Sequence, residues 1–135
     1  MANNYLFGTI PSEITNLSNL SVLNLRNNHL SGTIPSAIGQ LEKIIHIQLE
    51  MNNLHGTIPN NVGNCKMLTN FNVSSNELEG SIPIELYDVR ELTHLVLFQN
   101  HLEGTLSSKI GQLDKLKFCE LFSAFLFQFF NVICP

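Results

Sequence analysis

Apolar residues return along this chain on a fixed clock. Leu17, Leu41, Cys65, Val89 and Leu113 share one phase, and Leu20, Ile44, Leu68, Leu92 and Leu116 the next. Leu23, Ile47, Phe71, Leu95 and Cys119 follow, then Leu25, Leu49, Val73, Leu97 and Leu121, each series stepping by 24 residues. The last two phases are separated by a single outward position, the period-two signature of a strand with one buried face. The pattern predicts strands at 22–26, 46–50, 70–74, 94–98 and 118–122.

Other residue types keep the same time. Asparagine recurs at Asn4, Asn28, Asn52, Asn76 and Asn100, always two residues before Leu6, Leu30, Leu54, Leu78 or Leu102. Gly8, Gly32, Gly56 and Gly80 open the tetrapeptides GTIP, GTIP, GTIP and GSIP, and Gly104 opens GTLS. Gly39, Gly63 and Gly111 hold a second register, with Tyr87 in its remaining slot. A period in this range marks an array of stacked structural units.

Written once, the unit is LxxLxxLxLxxNxLxGxIPxxLGx. It resembles the plant-type leucine-rich repeat found in the extracellular parts of plant receptor-like kinases, receptor-like proteins and polygalacturonase inhibitors. The resemblance covers residues 4–121, and G-x-I-P at this period separates the plant subclass from other leucine-rich repeats. It implies a β-rich α/β repeat solenoid, right-handed, with a parallel sheet on the concave side and 3₁₀ or irregular convex segments. A second, short sheet is implied near the G-x-I-P stretch. The chain then reads as a single domain spanning 1–135. A partial coil at 1–11 precedes full coils at 12–35, 36–59, 60–83 and 84–107, and a degenerate last coil with an apolar tail fills 108–135.

Stacking supplies what one coil cannot. A lone unit has nothing against which to bury its leucines, so neighbouring coils must form the core, with their strands paired in parallel. The resemblance also implies that Asn28, Asn52, Asn76 and Asn100 form a structural ladder, their amides bonding the backbone where the chain leaves the strand. Asparagine suits this, with a donor and an acceptor on a short stem and tolerance for turn conformations.

Recognition is left to the outward strand positions, which the repeat does not constrain. They stack into columns: Val22, His46, Asn70, His94 and Phe118; Asn24, Gln48, Asn72, Val96 and Glu120; Arg26, Glu50, Ser74, Phe98 and Phe122; and Asn27, Met51, Ser75, Gln99 and Ser123. The candidate ligand-binding residues are Arg26, His46, Gln48, Glu50, Asn70, His94, Val96, Phe98 and Phe118. Polar side chains dominate the first three coils, and apolar ones gather from Val96 onward. Aromatics beside amides suit peptide recognition; the bland alternative is a merely solvated face. Strands about 4.8 Å apart give a face roughly 20 Å tall, long enough for about six residues of extended peptide.

Composition narrows the chemistry. The net charge is −4, and the seven Lys and Arg are scattered from Arg26 to Lys117, which argues against nucleic acid or an anionic membrane as partner. An apolar content of 44% is too high for a disordered chain. There is no apolar run long enough for a membrane-spanning helix, and no signal peptide is recognisable. Cys65, Cys119 and Cys134 are too few and too far apart for a disulfide scaffold or zinc knot. His46 and His94 share a column, but two strands put their backbones near 10 Å apart. Zinc needs three or four ligand atoms converging at about 2.0–2.1 Å, so no metal is expected. No phosphate-binding loop, kinase signature or nucleophile context occurs. The expectation is a non-catalytic module without a cofactor.

Three sequons, Asn16 (NLS), Asn19 (NLS) and Asn72 (NVS), fit an extracellular parent. Asn72 projects from the concave sheet, where a sugar would obstruct the face. Met1 enters directly into the tail of a coil, NNYLFGTIP, while Ala124 and Gln128 stand where the repeat asks for Asn and Gly. These breaks suggest a fragment. The resemblance implies part of the ligand-sensing ectodomain of a plant receptor-like kinase or receptor-like protein, at the outer face of the plasma membrane, taking a peptide or protein ligand and a co-receptor. A secreted inhibitor of the polygalacturonase-inhibitor type, in the cell wall, and a truncated non-functional product stay open.

Overall fold

The computed structural model describes residues 1–121; the tail at 122–135, with Phe122, Ser123, Ala124, Gln128 and Cys134, lies outside the described residues. Five strands line the concave side: β2 (Val22–Asn24), β4 (His46–Gln48), β6 (Asn70–Asn72), β8 (His94–Val96) and β10 (Phe118–Glu120). They pair in parallel in chain order, His46 opposite Val22 and Asn70 opposite His46, so the register step is the sequence period. Between them, β1 (Phe7–Thr9) pairs with β3 (His29–Ser31). β5 (His55–Thr57), β7 (Glu77–Gly80) and β9 (His101–Leu102) form a second short parallel sheet. The chain belongs to the solenoid architecture that the repeat implied.

The concave strands are three residues long, not the five that alternation predicts. Hydrogen bonding does continue beyond them: the Leu25 amide donates to the Gln48 carbonyl at 2.9 Å and the Leu49 amide to that of Asn72 at 2.8 Å. What ends each strand is the backbone. Asn27, Met51, Ser75 and Gln99 lie at φ of 51, 58, 54 and 53°, in the left-handed region, and turn the chain out of the sheet. The alternation of side chains carries no sign of that turn.

Each convex segment is a five-residue 3₁₀ turn: Ser12–Asn16, Ser36–Gln40, Asn60–Asn64, Ile84–Asp88 and Ser108–Gln112. Pro11, Pro35, Pro59 and Pro83 precede the first four, with φ near the value that the proline ring fixes. Ser107 replaces proline at the fifth, and its hydroxyl accepts from the Lys109 amide at 3.3 Å.

Stacking buries the apolar phases. Leu41, Cys65, Val89 and Leu113 are fully buried, whereas Leu17, the same position in the first full coil, is 52% exposed. The side chain is identical in kind; only the neighbouring coil differs. At Gly39 and Gly63 the second glycine register serves close approach rather than an unusual φ, while Gly111 has open space around it. A Cβ at Gly63 would lie 2.5 Å from the Glu85 carbonyl oxygen of the next convex turn. Tyr87 breaks this rule. It is buried, its hydroxyl meets the Ser107 backbone, and the Ile84–Asp88 and Ser108–Gln112 turns pack less closely than their predecessors.

The asparagines stitch coils together. The Asn52 amide donates to the Leu49 carbonyl of its own coil at 3.0 Å and to the Leu25 carbonyl of the preceding coil at 3.0 Å. Its oxygen accepts from the Leu30 amide at 3.0 Å. Asn76 repeats the set with Val73, Leu49 and Leu54, and Asn100 with Leu97, Val73 and Leu78. Asn28 bonds Leu25, Met1 and Leu6 in the same way.

Two substitutions test these constraints by urea denaturation. Asn52→Ala orphans the Leu30 amide and removes one of the two side-chain donors from each of the Leu25 and Leu49 carbonyls, and is expected to cost about 2 kcal/mol. Asn4→Ala, where the amide bonds only Met1 and Ala2 at the exposed end, is expected to stay within about 0.5 kcal/mol. Gly63→Ala is expected to cost roughly 2–3 kcal/mol by forcing two convex turns apart.

Candidate recognition surface

The register of the concave sheet fixes the outward side chains in rows. Val22, His46, Asn70, His94 and Phe118 stand side by side, as do Asn24, Gln48, Asn72, Val96 and Glu120. Arg26, Glu50, Ser74 and Phe98 follow two residues further along each coil. Of the candidate residues, Arg26, His94 and Phe118 are exposed, and His46, Gln48, Glu50, Asn70 and Phe98 are half-buried. Val96 departs from its expected role: at 8% exposure it offers little contact area. Ser74 is buried as well.

Most amides on this face are already engaged. The Asn24 amide donates to the Gln48 side-chain oxygen at 2.9 Å, and the Asn24 oxygen accepts from the Arg26 backbone at 3.3 Å. The Asn72 oxygen accepts from the Ser74 amide at 3.1 Å and from its hydroxyl at 2.8 Å. Two acceptors stand apart: Glu50 Oε2 and Asn70 Oδ1 are closed off from solvent and bonded to nothing. Nothing in the repeat distinguishes Asn70 from Asn72, so sequence reasoning missed this difference. At the upper coils the His94 and Phe118 rings lie 6.0 Å apart.

His46 and His94 are held apart by the intervening strand, and among the described residues no group of three or more His, Cys, Asp or Glu converges to hold a metal. His29 stacks on Tyr5 at 6.0 Å, and His101 lies on the second sheet. Cys65 is fully buried, and burial pushes its thiol up to about 11, with Lys66 opposing only in part. A thiol so placed stays protonated and is a poor nucleophile. No helix among the described residues is long and apolar enough to cross a membrane.

The sequons differ in setting. Asn16 and Asn19 are exposed at the end of the first convex turn, Asn19 accepting from the Lys43 ammonium at 2.7 Å. Asn72 is half-buried on the concave sheet and tied to Ser74.

Comparison with known proteins places this geometry. The family model for Leucine Rich Repeat matches residues 19–41. No curated protein sequence matches the chain. Among solved structures, the Arabidopsis receptor kinase HAESA, in complex with the peptide hormone IDA and the co-receptor SERK1, is similar at 35% identity and a TM-score of 0.88; the match covers 90% of this chain and 21% of that one. The plant peptide hormone receptor RGFR1, in complex with RGF2, matches at 36% identity and a TM-score of 0.82, over 84% of this chain and 18% of that one. The leucine-rich repeat ectodomain of the receptor kinase SOBIR1 from Arabidopsis thaliana matches at 30% identity and a TM-score of 0.84, over 90% of this chain and 67% of that one. The chain thus spans about a fifth of the two receptors solved with hormones.

The buried thiol generates a pH dependence. Its folded-state pKa lies above the ordinary value of 9.0, so between pH 9 and about 11 the unfolded chain loses the proton first. Stability is therefore expected to fall as pH rises through that window and to be unaffected by this group below it. Urea melts at pH 8 and 10.5 check this, with Cys65→Val giving a shallower slope. Tyr87, also held above its ordinary value by burial, leaves a residual dependence of the same sign.

Proposed function

Because this chain belongs to the plant-type leucine-rich repeat family, we propose that its concave sheet is a non-catalytic recognition face for a peptide or protein ligand, within the ligand-sensing ectodomain of a receptor-like kinase or receptor-like protein. The observation that carries this is the set of outward rows on β2, β4, β6, β8 and β10. Every other periodic position is committed to the core, the asparagine ladder or a turn, while these rows vary freely between amide, imidazole, carboxylate and aromatic. Arg26, His46, Gln48, Glu50, Asn70, His94, Phe98 and Phe118 supply the contacts, with Val96 flooring the face.

The likeness to receptors solved with peptide hormones, one of them with a co-receptor as well, supports a peptide ligand and a second receptor chain for this protein too. Its working place is then the extracellular face of the plasma membrane, and Asn16 and Asn19 carry the glycans while Asn72 stays bare. Any kinase activity belongs to sequence other than these coils. The described face accommodates about six extended residues, so a ligand engages it with modest affinity unless further coils extend it.

A random hexapeptide library displayed against the chain tests the reading. Enriched peptides are expected to lose binding about tenfold or more to the double variant His46→Glu/Phe98→Ala, because interface energy concentrates in few anchors. Binding that survives this variant, and falls instead with the convex substitution Glu85→Lys, would place recognition elsewhere and overturn the reading. Expression through a plant secretory pathway, followed by peptide mapping, is expected to find sugar on Asn16 and Asn19 and none on Asn72.

A further inference from the structure

One slot of the repeat, the residue that turns the chain out of the concave sheet, holds the left-handed conformation at Asn3, Asn27, Met51, Ser75 and Gln99. A Cβ makes that region costly for most side chains. Asparagine is the common exception, because its short amide bonds locally. Asn3 and Asn27 therefore suit the slot by residue type. Ser75 and Gln99 are tied to each other, the serine hydroxyl donating to the Gln99 side-chain oxygen at 2.6 Å. The Asn27 amide likewise donates to the Asn3 side-chain oxygen at 3.2 Å, so these four pair off along the column.

Met51 stands between the two pairs, one coil from Asn27 and one from Ser75. Its thioether is at most a weak acceptor and cannot extend either pair. Its side chain is not enclosed by the fold, with 58% of the residue exposed. Neither core packing nor hydrogen bonding accounts for a methionine in a conformation that asparagine adopts more readily. A residue held in a sparsely populated backbone region without an internal cause points to a role outside the fold.

We propose that Met51 is an apolar contact point of the recognition face, taking an aliphatic or aromatic side chain of the peptide ligand. This rests on the concave-face reading above and adds one residue to the contacts named there. An unbranched, polarizable thioether adapts to apolar groups of different shape. The side-chain oxygens of Asn3 and Gln99 already accept bonds, so a polar ligand group would lose water here for little new bonding. An apolar group gains from the same burial.

The test titrates the chain, labelled at its methionine methyl carbons, with acetylated, amidated Gly-Gly-Leu-Gly-Gly-Gly and with the same peptide carrying Asn for Leu. The Leu peptide is expected to shift the Met51 methyl signal. That of Met67, comparably exposed at 50% but placed between the Asn60–Asn64 turn and β6, is expected to stay in place. The Leu peptide is expected to bind at least about tenfold more tightly than the Asn peptide, a difference that burying one such side chain supports. Met51→Asn is expected to unfold at higher urea, because asparagine suits the turn, and to abolish the Leu preference. Met51→Leu is expected to keep the preference without the gain in stability. A Met51→Asn chain that melts earlier overturns the proposal, because the methionine then serves the fold. Equal binding of the two peptides, or a Leu preference that survives Met51→Asn, overturns it as well. Binding that moves the His94 and Phe118 ring signals but not the Met51 methyl overturns the contact and leaves the concave-face reading standing. If these peptides and the random library all fail to bind, both fall.

Discussion

A side-chain amide that serves two coils at once is the interaction on which this structure depends. Every coil turns out of its strand within a few residues, and the turn leaves backbone donors and acceptors facing inward, away from water. Buried and unbonded, each would cost ~1–3 kcal/mol. Asn52 answers three of them: one carbonyl of its own strand, one carbonyl of the coil before, and one amide of that same coil. The bonds to the preceding coil fix the distance and the register between coils. Only then can Leu49 and Leu54 pack fully out of water. The hydrophobic contribution of the core is larger in total, but it is non-directional. The amides decide where each coil sits, and the leucines hold it there.

That division of labour frees the concave strands. Their inward residues belong to the core and their ends to the ladder, so the outward positions are released from both duties. The same argument explains why the strands are short. A left-handed residue follows each of the first four, and the asparagine must come directly after it to reach carbonyls two and three positions back. A longer strand would carry the amide out of reach. Met51 and Gln99 pay for this geometry with a conformation unfavourable to side chains of their type, while Asn27 adopts it readily.

Much of this was legible in the sequence because repetition averages out local ambiguity. One L-x-L segment is weak evidence for a strand; five in phase, with asparagine and G-x-I-P keeping time, define coil boundaries, parallel pairing and the outward columns. What remained hidden depends on neighbours or on backbone angles. Strand length was overestimated at every coil because side-chain alternation does not report φ. Val96 was placed on the open face, where its column does lie, but a column position does not report how deeply a side chain is buried. Tyr87 in a glycine slot signalled an irregularity without saying which way it resolves; the ring is buried and its hydroxyl bonds the Ser107 backbone of the following coil. The difference between Asn70, with an unbonded oxygen, and Asn72, bonded to Ser74, lies wholly in the residue two positions on and the way it turns.

The uneven satisfaction of that face bears on how a solenoid acquires specificity. A sheet of parallel strands offers little relief, so shape alone distinguishes ligands poorly over five coils. Hydrogen bonding along a column from coil to coil, as from Asn24 to Gln48 and from Ser75 to Gln99, takes those side-chain oxygens out of competition for a ligand. What remains to be read is what stays exposed and unengaged, including the Arg26 guanidinium and the aromatic pair of His94 and Phe118. Because stacking is nearly additive from coil to coil, one outward substitution alters this set without disturbing the scaffold. Specificity in such a protein is therefore set less by which groups the face displays than by which of them the sheet has left unbonded.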